Sequence, residues 1–97
     1  MNSNELDNLR LEINKIDDEL VELFKKRMAA VRCVAEYKIE KSREVLDKSR
    51  EDFIISRYTD DIEDESLKKE VAEFIKGMLK ISRDAQSEII SNNGQHK

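Results

Sequence analysis

Apolar residues in the first half of the chain recur at alternating steps of three and four: Leu6, Leu9, Ile13, Ile16, Leu20 and Leu23, then Ala30, Val34 and Tyr37. This is the a/d seam of a helix that buries one narrow stripe. No Gly or Pro interrupts residues 4–42, so the pattern predicts one helix of about 39 residues, roughly 58 Å long at 1.5 Å per residue. A compact chain of this length has a radius of gyration of only about 12–13 Å. Such a rod overhangs its own globule and leaves its seam in water, and a two-fold copy of the chain is the most economical cover. The stretch Ser42-Arg43-Glu44-Val45-Leu46 breaks the periodicity. Asp47 then has the chemistry to cap a second helix over about 48–60, expected to bury Phe53, Ile54 and Tyr58. The acidic run Asp60-Asp61-Ile62-Glu63-Asp64-Glu65 suits a loop and the positive end of a following helix. That third helix, over about 65–91, carries Leu67, Val71, Phe74, Met78, Ile81, Ala85 and Ile89 at heptad-like spacing. Residues 1–4 and 92–97 are expected to fray, and the polar tail holds His96, the sole histidine. The prediction is therefore all-α: one domain over 1–97, three helices with a long first one, paired as an intertwined two-fold homodimer.

Composition strengthens the helical reading. Two glycines and no proline in 97 residues leave material for very few turns. With 38% hydrophobic and 41% charged residues the chain is too short for two domains, and no apolar run approaches the ~20 residues that span a bilayer. Eighteen basic residues against 22 acidic ones, net −4, argue against nucleic-acid binding through bulk positive charge. Any anion site must be a local basic island. The first twenty residues are charged throughout, without the apolar core of a signal peptide, and the lone Cys33 has no internal disulfide partner, so a cytoplasmic location is expected. Cys33 lies among Val31, Val34 and Ala35 and reads as a small buried or half-buried side chain. Nothing has the Cys/His spacing of a metal site, so no metal is expected.

Some polar residues do not fit the packing pattern. Arg27 occupies a seam position where the register calls for an apolar side chain, and a buried arginine needs an anionic partner. Lys38 follows eleven positions later, about 20° from three full turns, and so shares its face, with Val31 and Val34 between. The two cations either enclose a small anion over an apolar floor or are solvated or paired with acids such as Glu36 and Glu40; spacing does not decide. Arg10 lies seventeen positions before Arg27, about 25 Å along the same rod, so one helix cannot bring both to one small ligand. An antiparallel partner chain could. In the third helix Ser82 and Gln86 are four apart and offer a hydroxyl and a neutral amide on one face. The segment Asp47-Lys48-Ser49-Arg50-Glu51 joins a helix cap to an Arg-Glu pair.

Taken together and in order, these elements resemble the all-helical, AroQ-type (type II) chorismate mutases over nearly the whole chain. The residues that carry the resemblance are Leu9-Arg10-x-x-Ile13-x-x-Ile16-Asp17-x-x-Leu20-x-x-Leu23-x-x-x-Arg27, then Val34-Ala35-x-x-Lys38, Val45-x-Asp47-x-x-Arg50-Glu51, and Ser82-x-x-x-Gln86. Each element alone is weak; their joint order and spacing in a chain of minimal length is specific. One departure is Glu44, where the family often has proline before the valine, which bears on the rigidity of the loop. No position expected to carry catalysis departs from the pattern.

The resemblance implies conversion of chorismate to prephenate by a [3,3] rearrangement on the route to phenylalanine and tyrosine, without nucleophile, metal or cofactor. A protein then contributes by selecting the reactive conformer of a dianion and by stabilising charge on the ether oxygen. By similarity, Arg27 of one chain and Arg10 of the other would hold the two carboxylates, with Ser82 adding a hydrogen bond. Lys38 and Gln86 would donate to the ether oxygen. Glu51, helped by the Asp47 backbone, would accept the ring hydroxyl, and Arg50 would orient Glu51 or contact the ligand's surroundings. Val34 and Ile81 would be apolar walls. Two rivals remain: an isochorismate-pyruvate lyase of the same fold, from which Glu51 leans away, and a non-catalytic helical dimerisation module, which explains neither Arg27 in the seam nor Lys38 on its face.

Overall fold

The computed structural model describes residues 3–95. It is all-α among those residues, with helices α1 (Ser3–Glu40), α2 (Lys48–Thr59) and α3 (Glu65–Gln95). The first helix ends two residues before the expected boundary, and the hydrogen bonds explain why. Ser42 turns into the left-handed region at φ 53. Its N–H bonds back to the Ile39 carbonyl at 3.2 Å, and the Arg43 N–H reaches the Lys38 carbonyl at 2.8 Å. This paired closure is a Schellman motif, which satisfies the last carbonyls of a helix and stops it. A serine fills the place usually taken by glycine.

Both later helices begin on aspartate caps. The Asp47 side chain accepts from the Arg50 N–H at 3.1 Å and from the Ser49 hydroxyl at 2.9 Å. Asp64 accepts from the N–H groups of Ser66 at 2.9 Å and Leu67 at 3.1 Å, so the acidic run supplies both loop and cap, as its composition suggested. The second helix stops at Thr59, one residue early. The third continues to Gln95, four residues past the expected end, because no proline follows to stop it. His96 and its expected place in a frayed tail lie outside the described residues.

The chain divides into two units, Met1–Ala30 and Val31–Lys97. In the first, the described part is a stretch of α1 whose side chains are exposed, except for half-buried Arg27 and Met28. Its whole apolar seam is in water, with Leu9, Ile13, Ile16, Leu20 and Leu23 each 42–61% exposed. In the second unit α2 and α3 pack on each other. Its buried apolar side chains are Val31, Ala35, Ile75 and Leu79, and Thr59, Ser82 and Gln86 are buried with them.

The buried line of α3 differs from the expected seam. Ile75, Leu79, Ser82 and Gln86 are buried, and a rotation of 100° per residue puts these four within about 60° of one another. Leu67, Phe74 and Ile81 lie on a flank about 80–120° from Ile75 and are exposed, while Val71, Met78, Ala85 and Ile89 fall between and are half-buried. The expectation weighted the largest apolar residues; the contact with α2 buries the face bearing the two polar ones. The same holds in α2. Phe53 and Tyr58, expected inside, are exposed, whereas Glu51, Ile54 and Ile55 are half-buried and Thr59 is buried. Thr59 satisfies its hydroxyl by donating to the Ile55 carbonyl at 2.7 Å. Cys33, expected to be at least half-buried, is exposed.

Candidate active site

Residues 31–97 hold six of the eight candidate residues. Lys38 sits in the last turn of α1, half-buried, and its ammonium donates to the Val45 carbonyl at 2.7 Å. It pairs with neither Glu36 nor Glu40 as the solvated reading supposed. The bond ties the end of α1 to the connection that leads to α2. Further along that connection, Asp47 holds the first turn of α2. The Arg50 N–H and then the Ser49 hydroxyl keep its carboxyl below the usual carboxylate range, with Lys38 and Arg43 adding smaller attractions. The Asp47 backbone carbonyl accepts from the Glu51 N–H at 3.0 Å.

Glu51 follows in the first turn of α2. Its carboxylate is not oriented by Arg50, whose guanidinium lies 5.5 Å from the centre of the Phe53 ring. The partner is Arg83 of α3, whose Nη1 donates to Glu51 Oε1 at 2.5 Å. Sequence reasoning missed Arg83, because a pair separated by 32 positions on two helices leaves no periodic trace. The available signal was its place between Ser82 and Gln86 in a turn already marked by polar residues.

Ser82 and Gln86 lie one turn apart on the buried line of α3. The Ser82 hydroxyl donates to the Met78 carbonyl at 2.9 Å. Gln86 is 7% exposed, and its buried Oε1 has no hydrogen-bond partner. An unpaired buried amide oxygen costs about 1–3 kcal/mol, so a folded chain rarely keeps one without a use. The intended apolar walls, Val34 and Ile81, are 45% and 49% exposed in the single chain.

The other two candidates belong to residues 1–30. Arg10 is exposed and Arg27 half-buried, seventeen positions apart on α1. No group of three or more His, Cys, Asp or Glu side chains among the described residues could hold a metal ion. No helix is long and apolar enough to cross a membrane among those residues. The chemistry on offer is an ammonium, a hydroxyl, a neutral amide and a fixed carboxylate, a set suited to binding and orienting a polar ligand.

No curated protein and no solved structure matches the chain. A family model does, that of chorismate mutase type II, over residues 9–87. The match begins one residue before Arg10 and ends one after Gln86, and so encloses every candidate residue. By that match the chain belongs to the type II chorismate mutases.

Proposed function

We propose that the protein is a chorismate mutase that rearranges chorismate to prephenate in the cytoplasm, for phenylalanine and tyrosine synthesis, as a homodimer. The observation that carries this reading is Gln86: a neutral amide with an NH2 to donate, buried on α3 at the end of the stretch matched by the family. An amide can turn its NH2 toward a ligand at any ordinary pH. In the rearrangement a C–O bond breaks as a C–C bond forms, and the ether oxygen becomes more negative on the way. Gln86 and Lys38 would donate to that oxygen and so bind the transition state more tightly than the ground state. Losing one such donor costs about 10²- to 10³-fold in rate.

The substrate is a dianion that must be held in its compact conformer. Arg27 and the partner subunit's Arg10 would grip its two carboxylates with their planar forks, and Ser82 would add a hydrogen bond. Glu51 would accept the ring hydroxyl beside the backbone of Asp47, and Arg50 would complete the surroundings. Dimerisation is supported by the apolar seam of residues 6–23, which one chain leaves in water. Lys38 would exchange the Val45 carbonyl for the ligand, at the expense of one hydrogen bond in the loop.

The test is incubation of purified protein with chorismate and, separately, with isochorismate, with a metal chelator present, followed by ultraviolet absorbance and identification of the product. Prephenate is expected. Pyruvate from isochorismate with chorismate untouched would move the chain to the lyase reaction. Turnover of neither, by a folded protein that also ignores a bicyclic dicarboxylate mimic of the transition state in thermal melts, would leave a dimerisation module.

A further inference from the structure

Three of the ion pairs lie on the surface between residues three or four apart: Lys25 with Glu22, Lys48 with Asp52, and Lys80 with Asp84. Their side chains are 62–80% exposed, and such pairs contribute little. The pair of Arg83 with Glu51 is different in kind. Arg83 and Glu51 join α3 to α2, and their side chains are 32% and 19% exposed. Two charges drawn that far from water, at the start of a short helix and inside the turn that carries Ser82 and Gln86, need a reason beyond surface pairing.

The geometry of the bond supplies one. Arg83 engages Oε1 of Glu51 through a single nitrogen, Nη1. A carboxylate offers about four acceptor sites, so most remain open, those of Oε2 among them. A glutamate side chain has three rotatable bonds, and an unheld one samples several rotamers and loses that freedom on meeting a ligand. One held from α3 by Oε1 has its second oxygen fixed in advance. We propose that Arg83 is the positioning residue for Glu51: it fixes the carboxylate so that the free oxygen accepts the ring hydroxyl of the substrate. This rests on the reading of the protein as a chorismate mutase with Glu51 as hydroxyl acceptor. Arg83 itself touches no reacting atom. Its contribution is to selectivity between a ring that carries a hydroxyl donor and one that does not.

The test is a double-mutant cycle on kcat/KM for chorismate with wild type, Arg83→Ala, Glu51→Gln and the double variant, repeated with the ring O-methyl ether of chorismate, which cannot donate. Arg83→Ala should lower kcat/KM for chorismate roughly tenfold, shrink the preference for chorismate over the ether, and add less than about twofold once Glu51 is already replaced. Arg83→Lys, which keeps the charge and most of the stem, should restore part of the loss; it also serves if Arg83→Ala does not fold, which circular dichroism reports. Equal penalties in both backgrounds, or an unchanged preference for chorismate over the ether, overturn the assignment of Arg83 while leaving the mutase reading intact. A wild type that does not turn over chorismate overturns the mutase reading, and the positioning role with it.

Discussion

Subunit mixing gives the sharpest number for the proposed shared site. Arg10 and Arg27 are seventeen positions apart on one continuous helix, which sets them about 25 Å apart along its axis. Two side chains of one chain do not converge on one small dianion across that gap, so a site that uses both arginines, as proposed, would draw its Arg10 from the partner subunit. Replacing either arginine by alanine removes a charge-assisted contact of about 3 kcal/mol, roughly 10²-fold in kcat/KM. Now mix Arg10→Ala and Arg27→Ala chains in equal amounts and let them exchange. About half of the dimers are mixed. In each mixed dimer one site has both arginines, because one chain supplies an intact Arg27 and the other an intact Arg10, while the second site has neither. Activity should therefore rise from about 1% to about a quarter of wild type, with KM for the active fraction unchanged. The assay is chorismate turnover after exchange in mild denaturant, with hybrid dimers counted by mass. Activity that stays near 1% although hybrids make up half the dimers would refute a site divided between chains.

Further outcomes follow from single residues. Gln86→Glu should confine activity to acidic pH, where the carboxyl is protonated and can donate, and a flat rate–pH profile would remove residue 86 from the ether oxygen. Ser42→Gly should raise stability by about 0.5–1 kcal/mol, measured by denaturant melts, since it relieves a left-handed serine at φ 53 and gives back part of the gain as unfolded-chain entropy. Asp47 has a folded pKa below its ordinary 3.8, so its contribution is present above that value and is lost as pH falls through the depressed one. Asp47→Asn, which still caps, should flatten the drop in Tm on acidification below about pH 4, and an unaltered drop would place that titration elsewhere.

Much of this was legible from the residue pattern, for reasons that differ by element. Unbroken three-four spacing gave α1 to within two residues, because a long periodic stretch without Gly or Pro has one good solution. Asp47 announced α2 because capping is local chemistry. The orientation of α2 and α3 was harder to see. Phe53, Tyr58, Phe74 and Ile81 are among the most apolar residues of their helices, yet they are exposed, and the packed face carries Thr59, Ser82 and Gln86. Hydrophobicity ranks side chains by transfer energy; it does not say which of two adjacent stripes faces the same chain. Ser82 and Gln86 were legible as a polar pair on one face, and the structure adds that both are buried. Arg83 was not legible, since its meaning depends on Glu51 in another helix. The left-handed turn at Ser42 was also hidden, because serine is an unusual residue there.

The uncommitted oxygen of Gln86 makes position 86 a point of conflict between durability and work. A leucine or methionine of similar size would remove the unpaired group and improve the packing of α3, so the hardier chain would be the idle one. Breeding this protein for heat resistance by survival of the fold alone would be expected to erode its amide early, and a screen that also demands turnover would have to look for its gains elsewhere.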